Sequence, residues 1–178
     1  MTALLKYFIE LCLLRKGPQD LPASQPLLII TGVLLVLTAI VSDQLHAELI
    51  DRLSFALAQF GLLSVIVWAV LTISKYPERT LQTLTAFYGS GTLIQLLVWP
   101  FRALIITSGD PQQAQEMMLP LLAIVAFAVW SFVIMIHIYR NALDTTNGKA
   151  IMVSIITQVV VGMSMFNLFE GLQPQTTP

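Results

Sequence analysis

Long apolar tracts alternate with short polar connections over most of the chain, and the spacing of the polar residues predicts helices that cross a bilayer. The tract at 26–42 is uncharged and runs about 17 residues, the minimum for a hydrocarbon core of about 30 Å. A second, 53–74, follows a polar loop carrying Asp43, His46, Glu48 and Asp51, and its own polar residues are limited to Ser54, Gln59, Ser64 and Thr72. The third, 80–106, is the least regular. Gly89-Ser90-Gly91 sits inside it and Trp99-Pro100-Phe101-Arg102 interrupts its apolar run, which predicts a bent helix. The fourth and fifth, 117–139 and 150–172, are joined by the polar turn RNALDTTNGK. The residues after 172, QPQTTP, are turn formers without charge and are expected to be a disordered tail over 173–178.

Ahead of these tracts, residues 2–16 follow a different rule. Leu4, Leu5, Phe8, Ile9 and Cys12 recur at helical spacing, with Lys6 and Glu10 one turn apart on the other side. This segment is too short and too charged to cross. It predicts an amphipathic helix in the headgroup region or docked on the bundle, with Arg15 and Lys16 toward anionic lipid. Gly17 and Pro18 are expected to end it, glycine by a left-handed cap and proline by lacking an N–H. The charges within this stretch and the lack of a small-residue cleavage site argue against a cleaved signal peptide.

The expected fold is therefore all-α: one membrane domain over 1–172 with five transmembrane helices and a short amphipathic helix before them. Lysine and arginine are retained on the cytoplasmic side of a membrane. With five spans, seven of the nine basic residues (Lys6, Arg15, Lys16, Lys75, Arg79, Arg140 and Lys149) fall on one side, leaving Arg52 and Arg102 on the other. The N-terminus is then cytoplasmic and the C-terminus external. Four or six spans would spoil that segregation.

Composition narrows the class further. Hydrophobic residues make up 56% of the 178 and charged residues 11%, whereas a soluble domain carries about 25% charge to cover its surface. The formal net charge of -1 and the absence of a clustered basic surface argue against a nucleic-acid partner. A lone cysteine, Cys12, cannot form an intrachain disulfide and reads as a small apolar residue.

Candidate chemistry is sparse. No acidic residue lies near the centre of a span, which weighs against transport coupled to protons or sodium through buried carboxylates. The zinc-protease, nucleotide-loop and nucleophile-elbow patterns are missing, so neither an enzyme nor a bound cofactor or metal is expected. His46 and His137 fall on opposite sides of the predicted membrane, and His137 reads as an interfacial, hydrogen-bonded residue. Gln59, Gln95, Gln158 and Asn167 are neutral amides in apolar helices, where interhelical hydrogen bonding is their ordinary use. Alternatively, Gln95 and Gln158 line a polar cavity for a headgroup or small solute. Arg102 either snorkels to the outer interface, pairs with Asp51 or Glu116, or binds an anionic group. Gly89, Ser90 and Gly91 either let helices approach closely or unwind the third span to expose carbonyls to a ligand. Trp68, Trp99 and Trp130 read as interface belts or lipid-facing bulk.

The order of these elements resembles the Yip1 domain family. The resemblance is most specific in AFYGSGTLIQLL at 86–97 and in VWSFVIMIHIYRNALDTTNGKAIMVSIITQVV at 129–160, and it extends over about residues 5–170. It implies a five-helix bundle with a cytoplasmic N-terminus and, for a bacterial member, the inner (plasma) membrane. The long acidic or proline-rich cytosolic region of the trafficking members is missing, which argues against a GTPase partner. The family supplies no catalytic residues. Function is expected to be non-enzymatic: a scaffold or accessory subunit working through membrane lipids, other membrane proteins or self-association. The rival expectation is a small-solute or lipid transporter or channel built on a broken third span.

Overall fold

A computed structural model describes residues 2–42, 48–107 and 114–170. Among them, six α-helices and two 3₁₀ turns account for the regular structure, with no strand: α1 (Thr2–Cys12), α2 (Gln25–Ser42), α3 (Leu49–Ile73), α4 (Thr80–Thr107), α5 (Ala114–Ala142) and α6 (Asn147–Glu170). The turns lie at Pro18–Asp20 and Pro77–Arg79. His46 and Asp43, the side chain of Glu116 and the tail at 173–178 fall outside the described residues.

Four stretches are long and apolar enough to cross a membrane: Gln25–Ser42, Leu49–Ile73, Met118–Ala142 and Asn147–Leu168. Each turns a large apolar surface outward, with Ile73, Leu119 and Met152 among the most exposed side chains. Patches of that extent are stable against lipid and unstable against water. The molecule is thus an all-helical membrane protein.

α4 differs from the other four long helices because it occupies the centre. It packs most extensively on α2 and α5 and also touches α1 and α3. A helix enclosed by protein need not be apolar, provided its polar groups find partners. Thr83, Thr85, Ser90 and Thr92 meet that condition locally, each hydroxyl donating to the carbonyl four residues earlier. Small side chains along the same helix admit its neighbours. The Tyr88 ring seats on Gly32 of α2, and Leu35 of α2 seats on Gly91. α4 is continuous through both Gly89-Ser90-Gly91 and Pro100, so the broken third span of the rival expectation is not found, and the glycines act in packing.

The N-terminal segment docks on this centre, though not through the face its spacing suggested. Tyr7, Phe8 and Leu11 are buried, while Leu4, Leu5 and Ile9 are exposed. The apolar residues of α1 cover two adjoining faces, one turned to the bundle and the other outward, leaving Lys6 and Glu10 as a narrow polar edge. The Phe8 ring lies directly on Gly89. The expected glycine cap is also displaced. α1 ends in a left-handed Leu14 (φ 61°), with Arg15 N–H donating to Glu10 C=O and Leu14 N–H to Leu11 C=O, while Gly17 is extended at φ -109°. α3 and α5 end the same way, on left-handed Lys75 and Asp144.

These contacts rank the glycines. A methyl at Gly89 would overlap the buried Phe8 ring, whereas one at Gly91 would meet Leu35 Cδ1 at 3.1 Å and one at Gly61 or Gly162 would meet nothing within 4 Å. Gly89→Ala should cost about 1–3 kcal/mol by overpacking, Gly91→Ala less, and the other two nothing. Thermal unfolding in detergent or nanodiscs checks the order, and in a Phe8→Ala background the Gly89→Ala penalty should largely vanish.

Candidate functional site

Two polar assemblies stand out, one at the basic end of the bundle and one at mid-depth. At the basic end, residues 13–21 cross the termini of α4 and α5. The Tyr7 hydroxyl donates to Gly17 C=O, and Gly17 N–H donates to Asp20 Oδ2 at 3.0 Å. Gln82 Nε2 donates to Leu21 C=O at 2.6 Å. His137 Nε2 lies 2.9 Å from Lys16 C=O. A carbonyl only accepts, so this bond places the ring proton on Nε2, and the nearby Asn141 amide is then satisfied by His137 C=O at 2.8 Å. Histidine here holds the N-terminal segment to α5, in keeping with the interfacial reading. Arg79 stacks over Tyr76 at 4.6 Å and donates to Ala142 C=O at 3.0 Å, where a cation suits the carbonyl end of α5. Lys16 pairs with Glu10 at 3.1 Å. Tyr7, Gln82, His137 and Arg79 each bond to a carbonyl of another element or connection.

Titration follows the same enclosure. Burial pushes the Tyr7 hydroxyl well above its ordinary range, and the Asp20 carboxylate adds to the shift. Burial raises the Cys12 thiol from 9.0 to about 11.

The mid-depth assembly has a different character. Gln59 of α3, Gln95 of α4 and Gln158 of α6 line one cavity of about 250 Å³, together with Ser90, Ser131 and Thr157. At 1.5 Å per residue, these glutamines and Thr38 stand roughly 16–23 Å along their helices from Gln25, Ile73, Thr80 and Asn147, a similar level in the bundle. Thr38 Oγ1 lies 2.8 Å from Gln95 Oε1 and 2.9 Å from Leu35 C=O, so its single proton serves one of the two, and the Gln95 carboxamide meets Thr38 beside the cavity. Gln158 is exposed at the rim of this cavity and Gln59 is half-buried, and neither carboxamide is hydrogen-bonded to protein among the described residues. Thr157 is bonded to Tyr139 at 3.0 Å, which ties α6 to α5, while the fully buried Ser154 hydroxyl one turn away has no partner among the described residues. No ionisable side chain lines the cavity. It can form hydrogen bonds in both senses, but it cannot donate a proton or compensate a charge.

The sequence-derived candidates therefore separate. Gln95, Gln158, Ser90 and Gly91 meet at the cavity, whereas Gly89 serves the Phe8 contact and His137 the basic end. Arg102 is exposed, away from the cavity lining, and forms no ion pair with Asp51. Asn167 bonds back to Met163 C=O in its own helix. Gln59 carried the same signal as Gln95, a lone amide in an apolar helix, and belongs to the site. Thr38 and Thr157 gave no signal, since a threonine can satisfy itself on its own helix.

The Cys12 shift predicts slow chemistry at the N-terminal segment. A thiol raised from 9.0 to about 11 carries about 100-fold less thiolate at any pH below the ordinary value. Maleimide labelling at neutral pH should accordingly be about 100-fold slower than for an unstructured cysteine peptide and accelerate as pH rises toward 11. Labelling at the peptide rate would show the thiol to be solvated.

Comparison of the chain with known protein families, with curated proteins and with solved structures finds no match.

Proposed function

We propose that the chain is a five-span, non-enzymatic protein of a bacterial inner membrane that binds a small uncharged polar group at mid-depth, in the manner of a solute- or lipid-handling protein. The convergence of Gln59, Gln95 and Gln158 on one cavity carries this reading. Amides that merely glued helices would bond to one another or to backbone, and among the described residues the half-buried Gln59 and the exposed Gln158 do neither. In this reading α4 is the fifth span: 28 residues suffice to cross, and its neighbours supply the shielding from lipid. The unbroken α4 shapes the cavity wall through its small residues, in place of the broken helix expected of a transporter. The likeness to the Yip1 domain family belongs to the same proposal, since it too implies five spans with a cytoplasmic N-terminus.

A scaffold or accessory role is the second reading. The outward apolar faces of α3, α5 and α6 favour it, being available to lipid, to other membrane proteins or to a second copy.

Native-lipid purification separates the two. The ligand reading expects an uncharged compound retained at near-stoichiometric level and depleted about tenfold by Gln95→Leu or Gln158→Leu, the equivalent of one or two hydrogen bonds. A stable protein partner, with no compound sensitive to those substitutions, would establish the scaffold instead. The orientation has its own check. In a Cys12→Ser background, Thr177→Cys should react with an impermeant maleimide added outside intact cells, and Gly148→Cys should react only after lysis; the reverse pattern would overturn the topology.

A further inference from the structure

The carboxamide cavity adjoins a second, larger one of about 530 Å³ between α2 and α3, with Leu35 and Phe60 lining both. This second space follows α2 from Leu28 to Ile40, roughly 18 Å at 1.5 Å per residue, the reach of a long hydrocarbon chain. Its lining is almost wholly apolar. The two hydroxyls it contains, Ser64 and Tyr88, are hydrogen-bonded to each other, and Ser64 also reaches Phe60 C=O at 2.6 Å, so neither calls for a polar ligand. Gly32 and Gly61 widen it, and a side chain at Gly61 would enter open space.

We infer that the two cavities form one site for a neutral amphiphile: an uncharged hydroxyl- or carbonyl-bearing head among Gln59, Gln95 and Gln158, and a single long apolar chain in the α2–α3 groove. The inference rests on the reading of the carboxamide cavity as a ligand site and adds the class of ligand. Ionic heads are excluded, because neither cavity is lined by a carboxylate, amine, guanidinium or imidazole and an uncompensated charge inside the bundle is strongly disfavoured. A carboxamide offers both a donor and an acceptor, which matches a hydroxyl or a carbonyl. A free polar solute would fill the smaller cavity alone and leave the contiguous apolar groove without a role. An amphiphile arriving from the bilayer occupies both, across the junction that Leu35 and Phe60 form between them.

The test uses the full chain in proteoliposomes and three diazirine probes: a long-chain alcohol, the fatty acid of the same chain length, and a short-chain alcohol. On illumination the long-chain alcohol should cross-link to 25–42 and 49–73, and unlabelled long-chain alcohol should compete. The ionised acid and the short alcohol should label these segments at least about tenfold less. Gly61→Phe, which fills the groove from an uncrowded position, and Gln158→Leu should each lower labelling about tenfold. Competition in the unmodified protein gives a readout that does not depend on either variant folding. Labelling that is uncompeted, or equal for acid and alcohol, would identify surface lipid and overturn the inference. A chainless polar compound retained by the purified protein and lost in Gln158→Leu, with no competed alcohol labelling, would overturn the amphiphile and leave the cavity reading standing. The absence of any compound or label sensitive to the glutamines would remove both.

Discussion

A transmembrane bundle has no water with which to satisfy a polar helix, and α4 is polar along much of its length. Four of its hydroxyls turn back onto its own carbonyls, which removes their need for partners and leaves a narrow, nearly smooth surface. Neighbouring helices can then approach closely. Tyr88 against Gly32, Leu35 against Gly91 and Phe8 against Gly89 are three instances of one device, a large side chain seated where the facing residue has none. Gly89 is the position where that approach leaves no room for a methyl, and the first half of α4, which carries Thr83, Thr85 and Thr92, is the part enclosed.

The same enclosure sets the character of the site. Gln95 is too long to bond to its own helix in the way a threonine does, so it reaches Thr38 of α2 and the cavity. Gln59 and Gln158 arrive from helices on other sides at the same depth. The result is a region that is polar but uncharged, next to a groove that is neither. Such a pair of environments selects by hydrogen bonding and shape, with no proton or metal chemistry among its lining residues.

At the basic end, the N-terminal segment behaves as part of the fold. Its carbonyls accept from Tyr7, Gln82 and His137, and its apolar face rests on α4. The three left-handed caps without glycine, at Leu14, Lys75 and Asp144, show that local propensity yields here to the position each connection must take.

Sequence by itself determined the helical membrane class and placed the helices to within a few residues, because a bilayer demands long apolar tracts and the chain has little else. It also marked the lone amides as requiring partners. Only the tertiary structure decided which amides meet. Residue spacing records the depth of Gln59, Gln95 and Gln158 but not the direction each helix faces, and that direction depends on how α4 packs. The same ignorance of facing misassigned the buried side of α1, where apolar residues cover two faces and only docking against Gly89 selects between them. At Gly89-Ser90-Gly91 the sequence left both close packing and unwinding open, since glycine permits either. In the bundle that freedom is spent on close approach, and the helix continues unbroken.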